Sequence, residues 1–178
     1  MTKFVISAGH SNTDPGAKSN GTTEASIVTD FRDLLASHLY KLGHFVVTDG
    51  LPGENWALKD AIKLIQPGDI AVEFHCNAAT NAKATGVESI ASANSPHKEL
   101  CQKLSNAIAD VLGEKVRGDN GYIDPSRSAR GKLGWCDAGG IIVELFFLTN
   151  EKNLATYHDR KYQVVRAVAE VLCQYAGQ

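Results

Sequence analysis

Apolar residues along the chain switch repeatedly between short continuous runs and helical spacing. KFVISA (3–8) is a β-prone run that stops at Gly9-His10, and a polar, glycine-containing loop, SNTDPGAKSNGTT, follows it. From Glu24 the period changes. Ile27, Phe31, Leu34, Leu35, Leu39 and Leu42 recur at three- and four-residue steps, which predicts a helix ended by Gly43. HFVVTDG (44–50) predicts a second strand, NWALKDAIKLI (55–65) a short helix closed by Pro67-Gly68, and DIAVEFHCN (69–77) a third strand. GVESIAS (86–92) predicts a fourth strand. SPHKELCQKLSNAIADVLG (95–113) places Leu100, Leu104, Ile108 and Val111 or Leu112 on one helical face, with Ser95-Pro96 as its start signal. GGIIVELFFL (139–148) reads as a buried strand, and Tyr162, Val165, Val168, Ala169 and Leu172 mark a final helix. Between Gly113 and Gly139 the periodicity fades. A connection that long is functional or hides a short strand, for which GYI (121–123) is the candidate. Strands alternating with helices predict an α/β fold: one domain over residues 1–178, with a twisted, mostly parallel (mixed) sheet of about six strands and helices on both faces.

Composition narrows the partners. The 178 residues suffice for one sizeable core, and a formal net charge of −2 offers no footprint for nucleic acid or an anionic membrane. No apolar run approaches a membrane span, so no membrane insertion is expected. The start, MTKFVISAGH, has neither the basic region nor the long apolar stretch of a signal peptide, which predicts synthesis in the cytoplasm without signal-peptide export. Cys76, Cys101, Cys136 and Cys173 show no metal-binding spacing and read as reduced, structural thiols. Cys76 adjoins His75, but neighbours on a strand point to opposite faces, which weakens any thiol–imidazole pairing.

Glu144 is the residue out of place. An ionised carboxylate among Ile, Val, Leu and Phe costs several kcal/mol, on the order of a buried unpaired charge, unless something compensates it. It has a buried partner, ends its strand in solvent, or faces a site. His10 follows the first strand and His75 ends the apolar run IAVEF, so parallel strands would put His10, His75 and Glu144 along one rim, where ligands of open α/β sheets bind. Glu24 opens a helix and precedes Ile27 and Phe31 at three- and seven-residue steps, so it projects from the buried face. Two imidazoles and a carboxylate are the ligand set of many hydrolytic zinc sites, and a further carboxylate serves as general base. The compact H-E-x-x-H motif is absent, and each residue alone has a structural reading as a cap or hydrogen-bonded side chain.

In order along the chain, VISAGHSNTDPGA, Glu24, VEFHCNA, TGVES and IIVELFFLTN resemble the zinc-dependent N-acetylmuramoyl-L-alanine amidases of the third amidase type, the catalytic domain of bacterial cell-wall amidases and phage endolysins. The resemblance covers nearly the whole chain. It implies one Zn2+ held by His10, Glu24 and His75, with Glu144 catalytic. The implied reaction is hydrolysis of the amide between N-acetylmuramic acid and L-alanine of the stem peptide. Asn77 and Asn150 match family positions and read as turn or cap residues. The chain departs from the family at Ser7-Ala8, where Asp-Pro is frequent, at Thr48-Asp49, where an Arg commonly closes the strand, and at the bulky Leu145-Phe146.

Arg117, Arg127, Arg130 and Lys132, with Tyr122 and Trp135 as flat surfaces, read on their own as a solvated basic loop; with the resemblance they suit a carboxylate-bearing stem peptide, and Arg130 is the residue expected to hold it. Glu73 shares strand parity with His75 and Glu88 is placed to reach the same rim, so either could support a ligand side chain, with a solvated or salt-bridged carboxylate the favoured reading for Glu73. His38, His44, His97 and His158 are assigned no chemistry. With no export signal and no separate cell-wall-binding domain, the chain looks most like a monomeric phage endolysin that reaches host peptidoglycan in the periplasm after holin-type release. The alternatives are a zinc carboxypeptidase-like hydrolase and a non-catalytic peptidoglycan-binding module.

Overall fold

Regular elements appear in the order β1 (Lys3–Ala8), β2 (Lys18–Ser19), β3 (Thr22–Thr23), α1 (Glu24–Lys41), β4 (Phe45–Thr48), α2 (Leu58–Ala61), β5 (Ile70–Asn77) and β6 (Glu88–Ile90). α3 (Lys98–Leu112), β7 (Tyr122–Ile123), α4 (Gly134–Asp137), β8 (Ile141–Phe147) and α5 (Glu151–Ala176) complete the chain. They come from a computed structural model that describes residues 2–127 and 133–177. Six strands form one sheet in the order β4-β1-β5-β8-β6-β7. β4, β1, β5 and β8 run parallel, β6 runs antiparallel to β8, and β7 is parallel to β6. The mostly parallel, mixed α/β sheet matches the expectation.

Strand alternation divides the apolar residues between two faces. Phe4, Ile6, Val72, Phe74, Ile141 and Val143 join the core beneath the long helices, with Phe31 and Leu35 of α1, Leu104 of α3 and Val168 of α5. The opposite residues Val5, Ala71 and Ile142 form a smaller cluster with Ala61, Trp135 and Cys136. Among the described residues, that face is covered by the short helices α2 and α4 and by the 3-10 turn over Ile62–Leu64, with a cleft above the centre of the sheet. A bulge between β5 and β8 lets two steps on one strand (His75 to Asn77) match three on the other (Glu144 to Phe147), and both Leu145 and Phe146 then enter the helical core.

Local signals set the edges of the elements. The Thr23 side chain accepts from the Ser26 N–H at 3.2 Å, which caps α1 and makes Glu24 its first residue. The Asn150 side chain accepts from the N–H groups of Lys152 and Asn153 and caps α5. The loop before α1 contains the hairpin β2–β3, turned by Asn20-Gly21 with both φ angles positive (50° and 76°).

Two expectations change. The helix predicted over 55–65 shrinks to α2 and a 3-10 turn over Ile62–Leu64. Asn55 is buried and tied to Gly9 and Asn12, which holds 55–57 out of helical conformation. The final helix starts at Glu151, well before Tyr162, and Tyr162 is 62% exposed rather than on the buried stripe. Val165, Val168, Ala169 and Leu172 are buried as expected, and Leu154, Tyr157 and Val164 join them in the stripe.

Arg32 and Asp49 are both fully buried, and Arg32 Nη1 donates to Asp49 Oδ1 at 3.0 Å. Asp49 also accepts from Ser7 Oγ (2.8 Å) and the Ala8 N–H, while Arg32 Nη2 donates to the carbonyls of Leu51 and Glu54. An ion pair therefore locks β1, β4, α1 and the loop 49–55 together, directly behind the turn that carries His10.

Candidate active site

The centre of the sheet ends in polar residues. His75 on β5 pairs in register with Glu144 on the adjacent β8, and both share the face opposite the long helices. β1 hands over to Gly9, whose N–H donates to the Phe74 carbonyl (2.8 Å), and His10 follows with φ of +73°. That left-handed conformation is costly for a non-glycine residue, and it turns the imidazole back toward β5. Glu24 arrives from the first turn of α1 and is buried.

One donor atom each from His10, Glu24 and His75 lie within 4.8 Å of one another, as a metal site requires. Glu24 Oε1 is 2.9 Å from His75 Nδ1 and accepts from the Cys76 N–H at 3.0 Å. Glu24 Oε2 accepts from the Ala17 N–H at 3.1 Å and is 2.8 Å from His10 Nε2. That nitrogen is buried and not aligned for a hydrogen bond to the carboxylate. Two glycines cradle the rings. A Cβ on Gly9 would sit 2.1 Å from His75 Cε1, and one on Gly16 would sit 2.5 Å from His10 Nε2. The donor set, the unaligned His10 nitrogen and the cradle all fit a zinc ion bound by three protein ligands.

Carboxylates hold the far nitrogens of both imidazoles. Asp14 Oδ2 lies 3.0 Å from His10 Nδ1, and Glu73 Oε2 lies 3.0 Å from His75 Nε2. Burial works against protonating His75, but Glu24 and Glu73 outweigh it and raise its pKa well above the ordinary value. His10 is raised in the same way, by Glu24 and Asp14 against burial. Burial pushes the Glu24 carboxyl up, yet the two close imidazoles hold it well below the usual carboxylate range.

Above these groups lies a cleft of about 240 Å3, lined by His10, Leu58, Glu73, His75, Leu133 and Trp135 among others. A second groove of about 500 Å3 meets it at Ser11 and runs along α1 past Thr29 and Asn55. The two grooves together leave room for an extended substrate that continues beyond His10 and His75.

The four residues singled out from the sequence, His10, Glu24, His75 and Glu144, converge on one end of the sheet. Arg130 and Lys132 fall outside the described residues. Tyr122 and Trp135, expected to be flat contact surfaces, are buried (8% and 0% exposed) because both are packed into the two cores. Arg117 is paired with Glu88 and stands 5.1 Å from the centre of the Phe147 ring. Glu88 in turn accepts from Asn77 Nδ2, so it braces the strand ends. Cys76, Cys101 and Cys136 are buried free thiols, and Cys173 is partly exposed. Cys76 packs in the helical core, away from the face of His75. Sequence reasoning missed Asp14; for Glu73 it weighed support of the His75 site against a solvated or salt-bridged carboxylate, and Glu73 is paired with His75 itself. The parity of Glu73 with His75 was visible; the contact depends on side-chain placement.

Residues 4–174 match the N-acetylmuramoyl-L-alanine amidase family. A Neisseria meningitidis protein assigned as an N-acetylmuramoyl-L-alanine amidase is 38% identical, with a TM-score of 0.90 over 99% of this chain and 96% of the other. The N-acetylmuramoyl-L-alanine amidase of Clostridium difficile 630 is 24% identical, with a TM-score of 0.82 over 99% and 97%. The catalytic domain of the CD27L endolysin, which targets Clostridia difficile, shares the fold at 19% identity and a TM-score of 0.69, over 98% of each chain. No curated protein matches the chain in sequence.

Proposed function

Because the chain belongs to the N-acetylmuramoyl-L-alanine amidase family, and so is a peptidoglycan amidase, we propose that it works as a zinc enzyme, with His10, Glu24 and His75 as ligands and Glu144 as general base. The observation that carries this reading is the meeting of three donor atoms within 4.8 Å at a cleft, with Glu144 beside His75 in register. Zinc in that position supplies Lewis-acid polarisation of a carbonyl and lowers the pKa of water toward ~7.

The protein's own residues do the rest. Glu144 takes a proton from the attacking water and passes it to the leaving amine of L-alanine, which breaks the amide without a covalent enzyme intermediate. Glu24 binds with both oxygens held by backbone N–H groups, so it does not swing out of the site. Leu58 and Leu133 give the cleft an apolar wall that limits competing water. Arg130 is proposed to hold a stem-peptide carboxylate. The setting proposed is lysis of a bacterial wall by an endolysin, acting as a monomer after holin-type release; the catalytic domain of the CD27L endolysin has the same fold.

The deciding experiment pairs metal analysis with identification of the bond cut. Purified protein should carry one zinc per chain, lose activity to a chelator, and release a free L-alanine amino terminus from peptidoglycan whose glycan strands stay intact. Cleavage within the stem peptide would favour a carboxypeptidase-like reaction. Undiminished activity without metal would refute the zinc assignment. Host cells expressing the protein should lyse only when a holin is co-expressed; lysis without it would refute that delivery route.

A further inference from the structure

We propose that Glu73 is the positioning residue that decides which nitrogen of His75 meets the metal, directing Nδ1 to the ion by accepting a hydrogen bond from Nε2. The inference rests on the zinc reading above and deepens it. A neutral imidazole has one N–H donor and one lone pair, and only the lone pair can ligate. An ionised carboxylate can only accept. His75 lies between two of them, Glu24 Oε1 at 2.9 Å from Nδ1 and Glu73 Oε2 at 3.0 Å from Nε2. The two carboxylates are not equivalent. Glu24 is shared with His10, whose Nε2 is 2.8 Å from the other oxygen, so an ion between Glu24 and His10 sits on the Nδ1 side of His75. Nε2 points away from that place, toward Glu73. The proton therefore belongs on Nε2 and the lone pair on Nδ1.

His10 shows the mirror arrangement: Asp14 holds Nδ1, and Nε2 faces Glu24. The result is a continuous series, Asp14, His10, Glu24, His75, Glu73, with acid and imidazole alternating and the metal position at its middle. The two outer acids differ in strength of hold. The Asp14 side chain is 62% exposed on a loop, where water competes for its hydrogen bonds. Glu73 is 5% exposed on the central strand β5, two residues from His75 on the same face, and Ser7 Oγ approaches its other oxygen at 3.5 Å. Glu73 is the more rigid brace. Orienting partners of this type change metal affinity by roughly 10–100-fold when removed.

The test uses zinc affinity and imidazole nitrogen NMR on the whole chain. Competition with a chromophoric chelator should show zinc binding weakened roughly 10–100-fold in Glu73→Ala. Glu73→Gln keeps an acceptor oxygen and should recover most of that loss, which a purely electrostatic role would not allow. In two-bond 1H–15N spectra of the zinc-loaded wild type, His75 should be protonated at Nε2 and ligated at Nδ1, and His10 the reverse. Ligation of His75 through Nε2, or a Glu73→Ala protein that binds zinc as the wild type does, overturns the proposal and leaves the zinc reading standing. A wild-type protein that takes up no zinc refutes both. Should Glu73→Ala fail to fold, Glu73→Gln and the wild-type spectra decide alone.

Discussion

Replacing Gly9 with alanine adds one methyl group at the place where the site has least room. An ideal Cβ there lies 2.1 Å from His75 Cε1, 2.4 Å from Nε2 and 2.5 Å from Nδ1, whereas ordinary contact begins near 3.4 Å. Gly9 does not occupy the left-handed region, so the backbone accepts alanine, and the nearest conflict is with the imidazole. To clear the methyl the ring must retreat by about an ångström or more, several times the roughly ±0.2 Å that metal–ligand distances tolerate. Forcing a methyl into a packed interior costs about 1–3 kcal/mol, which a domain with a stability of roughly 5–15 kcal/mol survives. The variant should therefore fold and bind zinc poorly. Displacing a ligand is more severe than removing the partner of a ligand, so affinity should fall by more than about 100-fold. Chelator competition measures this, and urea unfolding monitored by circular dichroism shows that the fold persists. Gly177→Ala is the control, since its nearest atoms are 3.6 and 3.7 Å away. A folded Gly9→Ala protein with wild-type zinc affinity would show either that the ring does not rest on Gly9 or that His75 is not a ligand.

Three further outcomes follow from the same contacts. Glu144→Ala should keep fold and zinc but lower turnover on peptidoglycan by roughly 10²–10⁴-fold; normal activity would require another base. Arg32→Ala removes one partner of a buried pair and should cost about 3–5 kcal/mol in urea unfolding, or about 6–20 °C in Tm; a loss under about 1 kcal/mol would refute the bracing role given to it. The metal-free protein should be most stable between the ordinary Glu and His pKa values, 4.5 and 6.5. Glu24 is depressed, so its contribution is present above 4.5 and drains as pH falls; His75 is raised, so its contribution is complete below 6.5 and drains as pH rises through the folded value. Unfolding of the chelated protein from pH 4 to 9 checks this, and stability that holds or grows above pH 6.5 would contradict it.

Much of the architecture was legible because burial imposes period. β1, β5 and β8 carry continuous apolar runs, as strands covered on both faces do, and α1 and α3 carry their stripes at helical spacing. The convergence of His10, His75 and Glu144 followed from parallel strands having their carboxyl ends on one side. What stayed hidden depends on pairing and tertiary contact. The hairpin at Asn20-Gly21 carries a strong short turn signal, but its strands are two residues each and show no alternation. Tyr162 fits a helical stripe only when the helix is started too late. The bulge after His75 cannot be read from either strand alone, since register is a property of the pair. Trp135 and Tyr122 lie in a segment without periodicity, where composition says nothing about burial.

The behaviour of the acid and base at the β1–β4 junction shows why position along the chain is a weak guide to such groups. Judged by motif position, Ser7-Ala8 and Thr48-Asp49 lack both the Asp and the Arg that the resemblance expects there. In space neither charge is missing. Asp49 brings the carboxylate to Ser7 and the Ala8 N–H, and Arg32 brings the guanidinium from α1. Arg32 also binds the carbonyls of Leu51 and Glu54, and the following residue, Asn55, donates to the Gly9 carbonyl at 2.8 Å. The ion pair is thus connected through one loop to the glycine on which His75 rests. A buried pair adds little net stability over an apolar replacement, but its directional hydrogen bonds restrict how the loop can sit. Those bonds tie down the backbone behind His10 and Gly9, next to the two imidazoles.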